Sequence, residues 1–234
     1  MEGPDGDERP RILNLPLLTV LREYQPTEEE SDDGPLPGEL LVYFHTYYGS
    51  RLVQAVKQGL ESITISTTKV DGLVLGHTPK GHSVNYRSAT IYGYSPVLLP
   101  NTPSGVTEKI RALEAVIDDV TGYNRTAHIG KTDEAEAKRT AIVRVRIEDA
   151  SCKQRAGGEN GDVAPIENEE EDEYPGGHTA HEFTGVIPCW TQFGKARGVG
   201  RHKQEVQEVV DKPSAEGEAY AHDVAFARTK IDGR

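Results

Sequence analysis

The chain has 234 residues, and its 38 acidic and 26 basic side chains give a net charge of -12. That length allows one domain with a sizeable core, and the acidic balance disfavours broad attraction to a nucleic-acid backbone. The N-terminus is acidic where a secretory signal is basic and then apolar, and no run reaches the roughly 18 apolar residues that span a bilayer. Cys152 and Cys189 are too few for a disulfide framework or a thiolate metal centre. We therefore expect a cytoplasmic protein without a metal site, whose partners are neither membranes nor nucleic acids.

The first part of the chain predicts strands around one short helix. Residues 1–10 form a polar stub, and residues 11–24 predict a strand interrupted at a proline. Residues 25–38 combine an acidic run with three prolines, which predicts an exposed loop. Residues 40–46 resume the strand pattern. Residues 50–57 place a leucine and two valines on one helical face behind an N-cap serine, so a short helix follows the strand directly.

The central part predicts more strands and one long helix. Residues 62–75 alternate apolar and polar side chains and then pass a turn-like Asp-Gly pair, and residues 86–97 alternate similarly. Residues 104–120 show helical spacing, with Ser104 as the expected cap. A short charged helix is expected over 132–139. Residues 141–147, AIVRVRI, have the cleanest period of two in the chain and predict a strand.

The last part changes in composition. Residues 154–182 are rich in glycine, glutamate and proline, which predicts a disordered acidic insert. Residues 183–193 predict a final strand, at a sheet edge or a bulge because of its internal proline, and residues 194–234 predict a weakly structured extension. About six strands with one dominant helix and no repeating strand-helix rhythm favour an antiparallel barrel or sandwich over a parallel sheet.

The first candidate site lies in YFHTYYGSR, residues 43–51. The predicted strand delivers His45 and Thr46, and the following turn delivers Ser50 and Arg51 at a helix start. Backbone N–H groups, hydroxyls and a planar guanidinium in this order suit a phosphate group. The alternative is that Ser50 only caps the helix and Arg51 is a solvated surface charge. Phosphate-binding loops of the nucleotide-hydrolase type, dinucleotide fingerprints, nucleophile elbows and metalloprotease motifs are absent from the sequence.

The second candidate site lies in VDGLVLGHTPKGHSVNYRSATIYG, residues 70–93. A loop and the strand after it gather hydrogen-bond donors: His77, Lys80, His82, Asn85, Tyr86, Arg87 and Ser88. The alternative is that these are ordinary loop and solvent-facing strand residues. The presence of two such segments in one chain favours a binding function for both.

These segments resemble the pyridoxamine 5'-phosphate oxidase-like FMN-binding split-barrel proteins, in particular the flavin-nucleotide-binding branch that includes nitroimidazole-resistance-like proteins. The resemblance covers residues 11–193. It rests on LLVYFHTYYGSRLVQAV, ITIST, the specific block DGLVLGHTPKGHSVNYRSATIYG, an acidic-Ala-Ser-x-Lys pattern at 148–153, and FTGVIP. It implies a six-stranded antiparallel Greek-key split barrel with one longer helix, and a homodimer with FMN at the subunit interface.

The resemblance also implies roles for individual residues. The candidate cofactor-binding residues are His45, Thr46, Ser50, Arg51, Asn85, Tyr86, Arg87 and Ser88. Of these, Thr46, Ser50 and Arg51 match the phosphate-binding turn of the oxidase, where Leu52 replaces a second phosphate lysine. The family usually has a helix and a strand before the segment matching residue 11, so the first strand is expected to be missing, through a shortened chain or an incomplete barrel. Residues that grip pyridoxal phosphate have no counterpart, which disfavours vitamin B6 chemistry.

The function that follows is a flavin-dependent oxidoreductase, in which FMN accepts a hydride from a reduced nicotinamide or a small substrate. No catalytic residue is assigned; His45 and His82 are the nearest acid-base candidates because imidazole titrates near neutrality. The alternatives are a non-catalytic module that binds FMN, or haem through an axial His45 or His82, and an inactive truncated isoform.

Overall fold

The computed structural model describes residues 14–26, 34–159 and 183–227. The strands of this part are β1 (Thr19–Glu23), β2 (Leu40–Thr46), β3 (Ser62–Leu75), β4 (Ser83–Leu98), β5 (Ala141–Arg155) and β6 (Gly185–Pro188). Its helices are α1 (Arg51–Lys57), α2 (Pro103–Thr121), α3 (Thr126–Ile129), α4 (Glu134–Arg139) and α5 (Lys203–Phe226). The predicted stub at 1–10, most of the acidic insert at 154–182, and the expectation about a missing first strand concern residues outside the described ranges.

The strands form one six-stranded sheet in the order β1-β2-β5-β4-β3-β6. The pairs β1–β2, β2–β5 and β3–β6 are antiparallel. Within the described residues the sheet is open, and β1 and β6 are its edges. The mainly antiparallel sheet with few helices confirms the predicted fold class, and the edge position of β6 agrees with the proline in that strand.

The chain divides into two compact units, each built on part of the sheet. The first unit contains the described residues up to 63 together with 94–120 and 124–147. One face of β1, β2 and β5 packs against α2, whose apolar residues recur at helical spacing. The buried cluster there is Val20, Tyr24, Leu41, Tyr43, Leu99, Ala112, Val116 and Ile142. On the other face of β2 and β5, Val42, Phe44, Val143 and Val145 are also buried. Burial on both faces explains why β2 forms a nearly continuous apolar run, whereas Arg144 and Arg146 keep the period of two in β5.

The second unit contains residues 64–93, 121–123 and the described residues from 148 onward. Its largest helix is α5, of 24 residues, in the segment where the sequence predicts a weakly structured extension. That expectation is wrong for 203–226. The buried positions of α5 are Gly217, Ala221, Val224 and Ala225, a narrow stripe of mostly small residues. The helix also contains Pro213, and together these features hide its amphipathic pattern from a search for strong periodicity.

Two local expectations are corrected by the structure. The Asp71-Gly72 pair is not a turn, because β3 runs through it without interruption. A Cβ on Gly72 would lie 2.9 Å from Val186 Cγ1, so this glycine permits close strand packing. Ser104 is not the cap of α2, since the helix begins at Pro103 and the Thr102 hydroxyl accepts a hydrogen bond from the Gly105 N–H at 3.3 Å. Among the described helices, none is long and apolar enough to cross a membrane.

Candidate functional site

The turn between β2 and α1 is taken as residues 46–51, from the last residue of β2 to the first of α1, and lies in the first unit. Ser50 is the N-cap of α1, and its hydroxyl oxygen accepts a hydrogen bond from the Val53 N–H at 3.2 Å. The Ser50 N–H donates to the Tyr47 carbonyl at 2.9 Å, which closes the turn. A hydroxyl that accepts one hydrogen bond retains its proton for donation. The capping role proposed for Ser50 is therefore present and leaves room for a ligand contact.

Arg51 is exposed, and no residue in the described part of the chain pairs with it. Two arginines on β5 in the same unit behave differently. Arg144 lies 3.1 Å from Glu108, and Arg146 forms two hydrogen bonds to Glu39 at 2.8 and 3.0 Å. Because the turn TYYGSR contains no acidic side chain, the guanidinium of Arg51 has its donors available for an external anion.

His45 and Thr46 lie on opposite faces of β2. The strand pairing sets His45 opposite Ile142, on the face that packs against α2, whereas Thr46 lies opposite Ala141. The Nδ1 atom of His45 is buried and has no hydrogen-bond partner among the described residues. The structure thus groups Thr46 with Ser50 and Arg51 at the turn and sends the His45 side chain to the other side of the strand.

A buried lysine supports the same turn, and sequence reasoning missed it. Lys109 of α2 has 0% exposure, and its ammonium donates to the Tyr48 hydroxyl at 2.8 Å and to Asn101 Oδ1 at 2.7 Å. Tyr48 and the Asn101 amide in turn donate to the Lys138 carbonyl at 3.4 and 3.3 Å. The available signal was a lysine at position 109, three residues from both Val106 and Ala112 in the apolar stripe of the helix.

Asn85, in the second unit, is fully buried on β4. Its Oδ1 accepts a hydrogen bond of 2.6 Å from Arg155, while its Nδ2 is buried without a partner among the described residues. Arg155 also donates to the Gly158 carbonyl at 2.7 Å. All of these acceptors are uncharged, and burial lowers the pKa of Arg155. Asn85 therefore holds a guanidinium, a role that its place in the motif did not reveal.

Arg87 forms the most extensive contacts of the second segment. Its Nε and Nη2 donate to the two carboxylate oxygens of Asp71 at 2.9 and 2.8 Å, and its guanidinium lies 3.7 Å from the centre of the Tyr220 ring in α5. These hydrogen bonds to Asp71 raise the pKa of Arg87. Ser88 donates weakly to the Lys153 carbonyl at 3.4 Å, and Tyr86 is half-buried. This segment is largely paired within the protein itself.

The loop between β3 and β4 fixes two histidines in the second unit. His77 Nδ1 lies 2.9 Å from Glu159 Oε2, and His82 Nδ1 lies 2.8 Å from the Thr78 carbonyl. The hydrogen bonds from His77 lower the pKa of Glu159. Lys80, by contrast, is exposed in a single 3-10 turn. The loop therefore presents imidazoles whose Nδ1 atoms are already engaged.

A cavity of about 260 Å³ lies elsewhere in the first unit, between β1, β2 and α2. Its lining includes charged groups that already have partners, since Arg22 pairs with Asp119 and Glu108 with Arg144. None of the predicted cofactor-binding residues lines this cavity.

Comparisons with known proteins identify the family and the fold of the chain. The family model described as pyridoxamine 5'-phosphate oxidase matches residues 24–154, more than half of the chain. A flavocytochrome from Azotobacter vinelandii is 25% identical with a TM-score of 0.51, and the match covers 69% of this chain and 66% of that chain. This chain thus spans just under two thirds of the flavocytochrome.

Two further solved structures are similar. An FAD and haem binding protein from Mycobacterium smegmatis is 23% identical with a TM-score of 0.54, and the match covers 80% of this chain and 82% of that one. A 5-nitroimidazole antibiotic resistance protein, described as putative, from Bacteroides thetaiotaomicron is 15% identical with a TM-score of 0.35, over 48% of this chain and 60% of that one. No curated protein matches the sequence. Both the fold and the family match confirm the resemblance, and the chain belongs to the pyridoxamine 5'-phosphate oxidase family.

Proposed function

We propose that this protein binds FMN and works as a flavin-dependent oxidoreductase. The observation that carries the proposal is Arg51, an exposed guanidinium without an internal partner in the described residues, in a turn without acidic side chains. A free arginine beside two hydroxyl residues, Thr46 and Ser50, suits a phosphate group, and the family match covers the whole turn.

The residues of the turn offer different hydrogen-bond donors to the FMN phosphate. Arg51 offers a planar fork to two phosphate oxygens, while Ser50 and Thr46 offer hydroxyl donors. When bound, FMN supplies the hydride and electron chemistry. The protein positions the cofactor and supplies the positive charge. A reduced nicotinamide or a small reduced substrate is the proposed electron donor, and no side chain is assigned as an acid or base.

A second copy of the chain is the proposed partner. Residues 148–154 of β5 are exposed at seven consecutive positions, beyond the stretch 141–146 that pairs with β2. Because successive side chains point to opposite faces, both faces of this part of the strand are uncovered within the described residues. The cross-strand pair Leu73 and Ile187 is also 43% and 45% exposed. Strand faces that are uncovered and carry exposed apolar side chains favour a homodimer that covers them.

Haem binding is the second candidate, because His82 has the arrangement of a ligand. Its Nδ1 faces the Thr78 carbonyl at 2.8 Å, which favours the tautomer that leaves Nε2 as an acceptor for a metal. The similarity to a flavocytochrome also supports haem binding. A Soret band that is lost in His82→Ala would establish this function, either alone or together with flavin binding.

The proposal is tested by titrating the purified protein with FMN, FAD, riboflavin and haem while recording absorbance and size-exclusion elution. We expect FMN to bind more tightly than riboflavin on a dimer. Arg51→Ala should weaken FMN by about 1.5 to 3 kcal/mol, as expected for a charge-assisted contact, and leave riboflavin nearly unchanged. Arg139→Ala, which removes an exposed arginine at the end of α4, is the matched control.

The outcomes of this experiment separate the candidates. Equal losses for FMN and riboflavin in Arg51→Ala would remove the phosphate role of Arg51. Flavin binding without oxidation of a reduced nicotinamide or of small reduced substrates would favour a binding module over an enzyme.

A further inference from the structure

Lys109 of α2 carries a completely buried charge that no carboxylate of the described residues neutralises. Its exposure is 0%, and its partners, Tyr48 and Asn101, are uncharged. The acidic neighbour on the same helix, Glu108, is engaged by Arg144 and by the Tyr43 hydroxyl. Burial of an ammonium group without a counter-charge is costly, so its presence calls for a functional reason.

The contacts of Lys109 direct this charge to the turn between β2 and α1. The ammonium lies 2.8 Å from the Tyr48 hydroxyl and 5.5 Å from the centre of the Tyr48 ring. Tyr48 belongs to the same six-residue turn as Thr46, Ser50 and Arg51. A buried charge is screened by salt much less than an exposed one, so it acts on an anion at the turn without touching it.

We infer that Lys109 supplies the second positive charge for the phosphate bound at this turn. The inference rests on the proposed function. The residue directly after Arg51 is Leu52, which is buried and uncharged, so the turn itself offers one cation. Lys109 adds a charge from α2 and holds Tyr48 in place through its hydroxyl. It is a positioning and electrostatic residue, because its ammonium is enclosed by protein.

The test compares the affinities of the purified protein for FMN and riboflavin, which differ only in the phosphate. Lys109→Met keeps the length of the side chain and removes the charge. It should weaken FMN about tenfold and leave riboflavin nearly unchanged, and the FMN preference that remains, which comes from exposed Arg51, should depend on salt at least as strongly as that of the wild type. Lys57→Met removes an exposed lysine from the other end of α1 and should keep the wild-type ratio.

A second variant neutralises the charge without removing the lysine. Asn101→Asp places a carboxylate beside the ammonium, where the amide oxygen now lies at 2.7 Å, and should lower the FMN preference to a similar extent. This variant decides the question if Lys109→Met does not fold. A wild-type ratio of affinities in either folded variant would overturn the inference while leaving the proposed function intact.

The other outcomes are also decisive. Loss of both ligands in parallel would show that Lys109 is only structural and would overturn the inference. If the wild type itself did not distinguish FMN from riboflavin, the proposed phosphate site and this inference would fall together.

Discussion

Arg87→Met is the substitution whose effect on stability follows most directly from the geometry. It removes the partner of Asp71, whose side chain is 2% exposed, and leaves a buried carboxylate without its two hydrogen bonds. Breaking a fully buried pair in this way costs about 3 to 5 kcal/mol. Because the Arg87 side chain is 39% exposed, water can reach part of the vacated space. We therefore expect a loss of about 2 to 3 kcal/mol, or about 4 to 12 °C in melting temperature for a chain of this length.

The matched control is Arg22→Met in the first unit. Arg22 binds Asp119 with similar two-point geometry, at 3.0 and 2.6 Å, but the two side chains are 43% and 48% exposed. Its loss should cost less than about 1 kcal/mol. Thermal or urea unfolding of both variants measures the difference. Adding Asp71→Asn should recover part of the loss caused by Arg87→Met, since it removes the stranded charge. Equal losses for the two arginine variants, or no recovery in the double variant, would refute the reasoning from burial.

Three further predictions concern other contacts. Gly76→Ala should destabilise the loop before β4, because a Cβ there would lie 2.7 Å from the Gly81 carbonyl carbon; proteolysis of the loop should be faster than in the wild type. Tyr220→Ala should lower the melting temperature more than Tyr220→Phe, which keeps the ring that lies 3.7 Å from the Arg87 guanidinium. The hydrogen bond from Arg146 lowers the pKa of Glu39, so its stabilisation is present above about pH 4.3 and is lost as pH falls through the lowered pKa. In Glu39→Gln the melting temperature should fall less between pH 6 and pH 3 than in the wild type.

The sequence predicts well those elements whose apolar spacing and terminating residues lie close together in the chain. The strand at Leu40–Thr46 has the predicted bounds, and α1 begins after the predicted N-cap Ser50. The long helix ends just before Gly122, and glycine with a φ of +70° is a common helix stop that a sequence shows directly. In each case the apolar spacing and the terminating residue lie within one short window, so no distant contact is needed to recognise the element.

The elements that the sequence does not reveal depend on contacts between distant residues. The narrow stripe of small residues on α5 can be recognised as a buried face only once the surface that it packs against is known. Near that surface, the ring centres of Trp190 and His222 lie 6.0 Å apart. The Asp-Gly pair in β3 reads as a turn until Arg87, sixteen residues later, is seen to bind Asp71. Lys109 reads as a polar interruption of an amphipathic helix until Tyr48, 61 residues earlier, is placed beside it. Such pairings are set by tertiary packing, which a local pattern does not encode.

The two predicted segments therefore differ in whether their hydrogen-bond donors are available to a ligand. At 85–88, Asn85 is hydrogen-bonded to Arg155 and Arg87 to Asp71. A ligand that contacted Asn85 or Arg87 would have to break these internal hydrogen bonds. At 46–51, Arg51 has no internal partner in the described residues, so a phosphate gains its full charge-assisted contact. It follows that substitutions at 85–88 should act mainly on folding, and substitutions at 46–51 mainly on the affinity for a phosphorylated ligand.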